Sequence, residues 1–359
     1  MQVKMAMDKK HTINCVNCGA DVSFKPGTTS LECDYCGTKN EIPVEEFEIK
    51  ELDLQEYLKI DKTQKKLELE TITCPGCGAI ETMDSDKASS FCAYCGTPLV
   101  AGKTQADEIL SPDYLLPFKL DKRQALNKTS DWLRGNWFVP SKLKKDAISY
   151  THFKGVYLPY WTYDANTQTQ FTGQRGDTYY EEIRRGDKVQ RVARTRWSTA
   201  FRGNVNHFFD DILIPATTSL EKKYLEKLGP WDLHNLVPFN EDFLRGFITE
   251  KFKIGLKEGF LKAKSRMEAA ISQMVRQQIG GDKQRVISQN TQYSSLKFKH
   301  ILLPVYVSSF LYKGKKYQFI VNSRTGEVQG QKPLSKGKIA LVVLGVLLVI
   351  VLFYFLSQN

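Results

Sequence analysis

No arginine occurs before Arg123 in this 359-residue chain. From Met1 to Leu110, nineteen Asp and Glu stand against twelve Lys, a formal charge of −7, while the remainder carries +18 within a total of +11. Recognition of phosphates draws on Lys and Arg, so the front of the chain is a poor reader of nucleic acid. An apolar leader is missing too: MQVKMAMDKK is too polar for a secretory signal, which predicts a reducing compartment. Catalytic patterns are equally scarce. The five histidines, His11, His152, His207, His234 and His300, form no HExxH pair, and no GxSxG elbow or recognisable triad occurs. Gly102-Lys103-Thr104 looks like the end of a phosphate-binding loop, but that loop needs glycine where Thr97 stands. His207 with Asp210 and Asp211 reads as a strand end entering a loop. His11, just before Cys15, has no missing cysteine to replace. The expectation is a protein that is not an enzyme.

Cysteine is sparse but ordered. All eight fall into two copies of one phrase, Cys15-x-x-Cys18 with Cys33-x-x-Cys36, and Cys74-x-x-Cys77 with Cys92-x-x-Cys95. The interval from Cys18 to Cys33 equals that from Cys77 to Cys92, and one constant offset carries every cysteine of the first copy onto its twin. Such knuckle pairs predict two closed, structural four-cysteine sites for Zn2+, with no open position for chemistry. A glycine follows Cys18, Cys36, Cys77 and Cys95, suiting a left-handed turn that aims backbone N–H groups at the sulfurs. Two such sites, each adding two negative charges, would take the front half to about −11.

The other end is uncharged from Ile339 to Leu356. A helix of that length spans about 27 Å, enough for a hydrocarbon core. Lys332, Lys336 and Lys338 precede it and no basic residue follows, so the bulk of the chain is expected in the cytoplasm as a single-pass inner-membrane protein. The basic portion would then lie beside an anionic inner leaflet.

Between these ends the sequence divides into a ribbon at 11–42, a charged linker at 43–70, a second ribbon at 71–101 and a short linker at 102–110. A short helix is expected around Leu52–Ile60, and Leu67 and Leu69 alternate as in a strand. Residues 111–330 form the one stretch able to bury a sizeable core, and they read as a duplicated α+β domain. In each half a Pro-Phe turn (Leu116-Pro117-Phe118, then Val237-Pro238-Phe239) precedes a helix and then strands. In the longer helix, Leu256, Phe260, Met267, Ile271, Met274 and Gln278 follow the helical period as a packing stripe. The last hairpin, Phe310 to Val328, turns at Lys313-Gly314 and at Ser323 to Gly326. Residues 331–338 form a basic juxtamembrane segment before the transmembrane helix at 339–356. The fold class is thus α+β multidomain: two small β zinc ribbons, the duplicated domain and one C-terminal membrane helix.

These features resemble a bacterial family of membrane-anchored proteins with paired zinc ribbons of the TFIIB or rubredoxin-like kind. The likeness covers nearly the whole chain. It rests on both Cys-x-x-Cys-Gly units, on Gly155-Val156-Tyr157-Leu158-Pro159-Tyr160-Trp161, on Leu303-Pro304-Val305-Tyr306, and on Tyr317 to Asn322 with Thr325-Gly326-Glu327-Val328. Where the family pattern has Gly-Gln before Thr-Gly, this chain has Ser323-Arg324. Members often carry labels such as primosomal protein N′ (replication factor Y) or superfamily II helicase, although motor motifs are missing here. The resemblance implies a component of a membrane-stress module, with SPFH-domain or phage-shock-type proteins as partners. The expected function is a non-enzymatic, tail-anchored adaptor whose ribbons dock proteins. The competing reading is a membrane-tethered nucleic-acid binder.

Overall fold

The computed structural model describes residues 14–43, 47–59, 66–82, 89–100, 104–141, 153–186 and 188–357. His11, Gly102, Lys103 and His152 lie outside the described residues.

Two long strands organise the α+β body. Lys154–Arg185 and Lys283–Tyr312 run antiparallel, paired from Lys154 opposite Val307 to Gly176 opposite Lys283, with register shifts at Asp164/Asn166 and Thr172/Gly173. Two of the motifs behind the resemblance are cross-strand neighbours: Val156 faces Val305, Tyr157 faces Pro304, and Leu158 faces Leu303. The stretch Val156–Trp161 is rich in β-branched, aromatic and aliphatic residues, and it is buried throughout. A half-buried strand would alternate with polar residues, so both faces must be covered.

The cover is a zinc-ribbon-like unit on each side. Alternate residues of a strand point to opposite faces. Tyr157, Leu302 and Tyr306 share one core with Val22, Phe24 and Leu31 of the first cysteine unit, and with the helix Lys122–Arg134. Val156, Leu158, Ile301, Leu303 and Val305 share the other with Ile72, Ala79, Tyr94 and Leu99 of the second. Farther along, the helix Leu256–Ile279 packs Ala263, Met267, Ile271, Val275 and Ile279 against Trp161, Tyr163 and Phe171. Its buried stripe is therefore centred beside the expected one. Met267 and Ile271 belong to it, Leu256, Phe260 and Met274 are half-buried, and Gln278 is exposed. Gly259 is buried in this face, and a Cβ there would stand 2.4 Å from the Tyr163 hydroxyl, so a larger residue does not fit.

The first linker carries the expected helix, Leu54–Lys59, and the expected strand through Leu67 and Leu69, Lys66–Thr73; their pairing, and the strand in the second linker, were not expected. Leu52–Asp53 pairs with Phe298 and Lys297, and Leu54, opening the helix Leu54–Lys59, is buried. Gln105–Leu110 pairs with Lys66–Thr73 and extends the small sheet of the second cysteine unit. Helix, long strand and hairpin occur once in each half of 111–330, yet both sets build a single sheet rather than two separate units. The final hairpin has the expected form. Lys313 and Gly314 take left-handed backbone angles between Tyr312 and Lys315, as a tight hairpin turn requires.

The last helix, Lys336–Ser357, is long and apolar enough to cross a membrane, and none of its most apolar 18-residue window is buried against the body. A core helix of a globular domain would be covered.

Candidate metal centres

Each cysteine pair closes a turn of the same kind. The N–H of Gly19 donates to the Cys15 carbonyl, Gly37 to Cys33, Gly78 to Cys74 and Gly96 to Cys92, all at 2.8–2.9 Å. The four glycines have φ between +69° and +74°, the left-handed region that β-carbon-bearing residues avoid. A second bond, from the N–H of the first cysteine to the carbonyl two positions past the last, completes each knuckle, as in Cys15 to Ala20 and Cys74 to Ala79.

These knuckles bring all eight cysteines into two groups. In each group the four sulfurs lie within 4.8 Å of one another. Cys15 and Cys36 Sγ are 3.4 Å apart and Cys18 and Cys33 Sγ 3.6 Å; the twin pairs, Cys74 with Cys95 and Cys77 with Cys92, are 3.3 and 3.7 Å apart. A disulfide requires about 2.05 Å, and none of the eight is so bonded. Four ligands at about 2.3 Å around a tetrahedral ion stand about 3.75 Å apart. The donor set therefore fits a closed four-sulfur metal site in each unit.

A threonine hydroxyl supports the last sulfur of each group. Thr38 Oγ1 lies 3.1 Å from Cys36 Sγ, and Thr97 Oγ1 lies 3.0 Å from Cys95 Sγ. The Thr38 hydroxyl is the main cause holding Cys36 down at about 6. At Cys95 burial acts in the opposite direction, but the Thr97 hydroxyl and backbone N–H outweigh it and hold the thiol at about 7. One sulfur in each group is thus readily deprotonated, the form in which cysteine ligates.

Alike in sequence, the two units differ in how they meet the body. In the second, Tyr94 is 2% exposed, and its hydroxyl donates to Glu250 Oε2 at 2.7 Å. Glu250 is itself buried, with Thr217 and Ser219 donating to Oε1, and burial pushes its carboxyl up. Lys253 Nζ donates to the Gly78 carbonyl at 2.7 Å, and Gln318 to the Tyr94 carbonyl at 2.9 Å. In the first unit the body is held from the other side, through Phe24 against Phe243 and through the N–H of Gly27 on the Phe118 carbonyl. Its knuckle tips remain open: Tyr35, the twin of Tyr94, is 90% exposed and Val16 is 81% exposed.

His207 stays apart from the neighbouring carboxylates; it is exposed and packs edge-on to Phe209. The carboxylates of Glu51, Asp164 and Asp210 do converge. A cation of the chain itself serves that cluster: Lys299 Nζ is 2.8 Å from Asp211 and 2.9 Å from Glu51. Burial, followed by the Glu51 carboxyl, raises Asp164 to about 7. Burial alone would lower Lys299, but Asp211 and Glu51 reverse the direction and keep it charged. The cluster ties the 43–70 segment to the sheet. Sequence spacing carried no signal for it, because its members are scattered along the chain from Glu51 to Lys299. The Ser323-Arg324 turn has a role of its own: Arg324 grips Asp232 through Nε at 3.0 Å and reaches the Pro117 carbonyl.

A curated protein from Bacillus subtilis (strain 168), described as "Uncharacterized protein YdjG", is 26% identical over 331 residues, covering 91% of each chain. No family model matches the chain. No solved structure matches it either.

Proposed function

We propose that this chain is a non-enzymatic, tail-anchored membrane adaptor. In this reading two structural Zn2+ ions, held by Cys15, Cys18, Cys33 and Cys36 and by Cys74, Cys77, Cys92 and Cys95, rigidify the cytoplasmic front. The helix Lys336–Ser357 is the anchor, with the three preceding lysines on the cytoplasmic side. The observation that carries the reading is the unequal burial of twin knuckles. The body consumes the second ribbon's tyrosine in its own core, so that ribbon is a structural cover. Val16 and Tyr35 stand in water at the first ribbon's knuckles, and this reading assigns them to a partner. Partner proteins of the SPFH or phage-shock type belong to this proposal through the family resemblance alone. The duplication of the α+β region belongs to it too, resting on the repeated Pro-Phe, helix and strand order of its two halves.

The test uses the full chain purified from native membranes. Tyr35→Ala with Val16→Asp is expected to lose the co-purifying proteins while keeping both metal ions. Retention of the same proteins by that variant would show that the first ribbon is not the docking element.

One observation favours nucleic-acid binding as a second reading. In the hairpin formed by residues 176–197, Arg191 lies over Tyr180 at 5.5 Å and Arg196 over Tyr179 at 5.2 Å, and both tyrosines are exposed. Stacked Arg and aromatic side chains suit single strands. Titration of the detergent-solubilised full chain with DNA at two salt concentrations decides it. Binding with a steep inverse salt dependence supports this reading, and no binding at low salt removes it.

A further inference from the structure

An apolar patch lies where the apolar helix leaves the body. Trp137 is 51% exposed, Phe138 36% and Leu334 55%. The first two follow the helix Lys122–Arg134, and their rings meet edge to face at 5.3 Å. They are distant in sequence from Leu334 but fastened to it. The Ser335 N–H donates to the Phe138 carbonyl at 2.9 Å, and Lys338 Nζ donates to the carbonyls of Trp137 and Val139 at 2.9 and 3.0 Å. The chain just before is pinned as well. Gln331 donates through its N–H to Gln318 and through its side chain to Glu221, and Lys332 Nζ stands 3.8 Å over the Trp132 ring. The helix therefore leaves from a fixed point on the body.

The geometry points to a lipid surface as the occupant of this patch: Trp137, Phe138 and Leu334 seat in the headgroup layer of the anionic leaflet that the Lys336–Ser357 helix enters. This rests on the membrane reading proposed above. Three observations select lipid over a protein partner. The patch is continuous with the first turn of a helix whose apolar residues face outward all round. Its aromatic pair sits at the depth where such a helix meets water, and Trp is favoured there because its ring is apolar while its N–H remains wet. Lysines rim it: Lys332, Lys336 and Lys338 stand where the body joins the helix. A helix that spans and a patch that rests on the surface make two points of attachment. Together they hold the sheet at one angle to the bilayer, so the first ribbon's tip keeps a set height above it.

The experiment reconstitutes the full chain into vesicles of phosphatidylcholine with one quarter phosphatidylglycerol, some of the lipid brominated near the headgroup end of its acyl chains. Emission of the wild type minus that of Trp137→Phe isolates Trp137. The expected result is quenching of that difference emission by at least half, weaker with bromine placed deep in the chains. Alkaline carbonate extraction is run in parallel. Release of the wild type by carbonate would overturn the anchor reading itself. Retention of the chain with unquenched Trp137 would overturn the seat alone. A second variant, Phe138→Ala with Leu334→Ala, is expected to stay carbonate-resistant and to lose most of the Trp137 quenching; unchanged quenching in it would also overturn the seat.

Discussion

Tyr35 and Tyr94 are a control supplied by the molecule, since both occupy the same place in a Cys-x-Tyr-Cys-Gly-Thr knuckle. Replacing Tyr94 with Phe keeps the ring and removes one O–H from a buried carboxyl that has two other hydroxyl donors, both on the opposite oxygen. Loss of a hydrogen bond to such a group costs about 1–3 kcal/mol. Taking about 2 kcal/mol, the folding equilibrium falls roughly 30-fold. Tyr35→Phe changes a side chain already in water, so its effect should lie within about 0.5 kcal/mol. Urea unfolding of the full chain in detergent, followed by tryptophan emission, measures both. With a slope of about 2–3 kcal/mol/M, the Tyr94→Phe midpoint drops by about 0.7–1 M and the Tyr35→Phe midpoint by less than about 0.25 M. Equal shifts would refute the claim that the body treats the two ribbons differently. A changed slope for Tyr94→Phe would mean that the ribbon detaches before the sheet melts.

Three further outcomes follow from the packing. Elemental analysis should find two Zn2+ per chain and one in Cys18→Ser; a single ion in the wild type would break the pairing of knuckles described here. Gly259→Ala places a methyl group against Tyr163 and Trp161 and should lower stability by about 1–3 kcal/mol, seen as a lower melting temperature, despite alanine's better helix propensity. His300 is buried between Trp161 and Phe252, and burial holds it at about 4 against an ordinary 6.5. The fold thus prefers the neutral ring, so this contribution is complete above pH 6.5 and declines as pH falls towards 4. About 2 kcal/mol should be gone at pH 5. His300→Phe should remove that increment, narrowing the stability loss between pH 7 and pH 5 relative to wild type; an unchanged pH profile would contradict it.

Much of the site was readable from spacing. Ligation by two knuckles needs four sulfurs at fixed intervals and a glycine that tolerates positive φ, and both requirements are local. The terminal helix was readable for a similar reason, since length and uniform apolarity suffice. The first linker's helix and strand were readable too, but how the linkers dock was not. Leu54 buries itself only because Phe298, far later in the chain, supplies the surface, and Gln105–Leu110 is a strand only because Lys66–Thr73 lies beside it. Period alone placed the long helix's stripe slightly off: the face that meets the sheet is Gly259, Ala263, Met267, Ile271, Val275 and Ile279.

By itself, then, the sequence determined the eight candidate ligands, their partition into two groups and the apolar tail, because each depends on residues close together in the chain. Only the tertiary structure decided that two ribbons with the same cysteine spacing lie on opposite faces of one sheet. It also decided that one tyrosine is locked onto Glu250 while its twin stands in water, and that Trp137 and Phe138 meet the root of the last helix. Those outcomes depend on what a side chain finds across the fold, which twin motifs and local spacing do not encode.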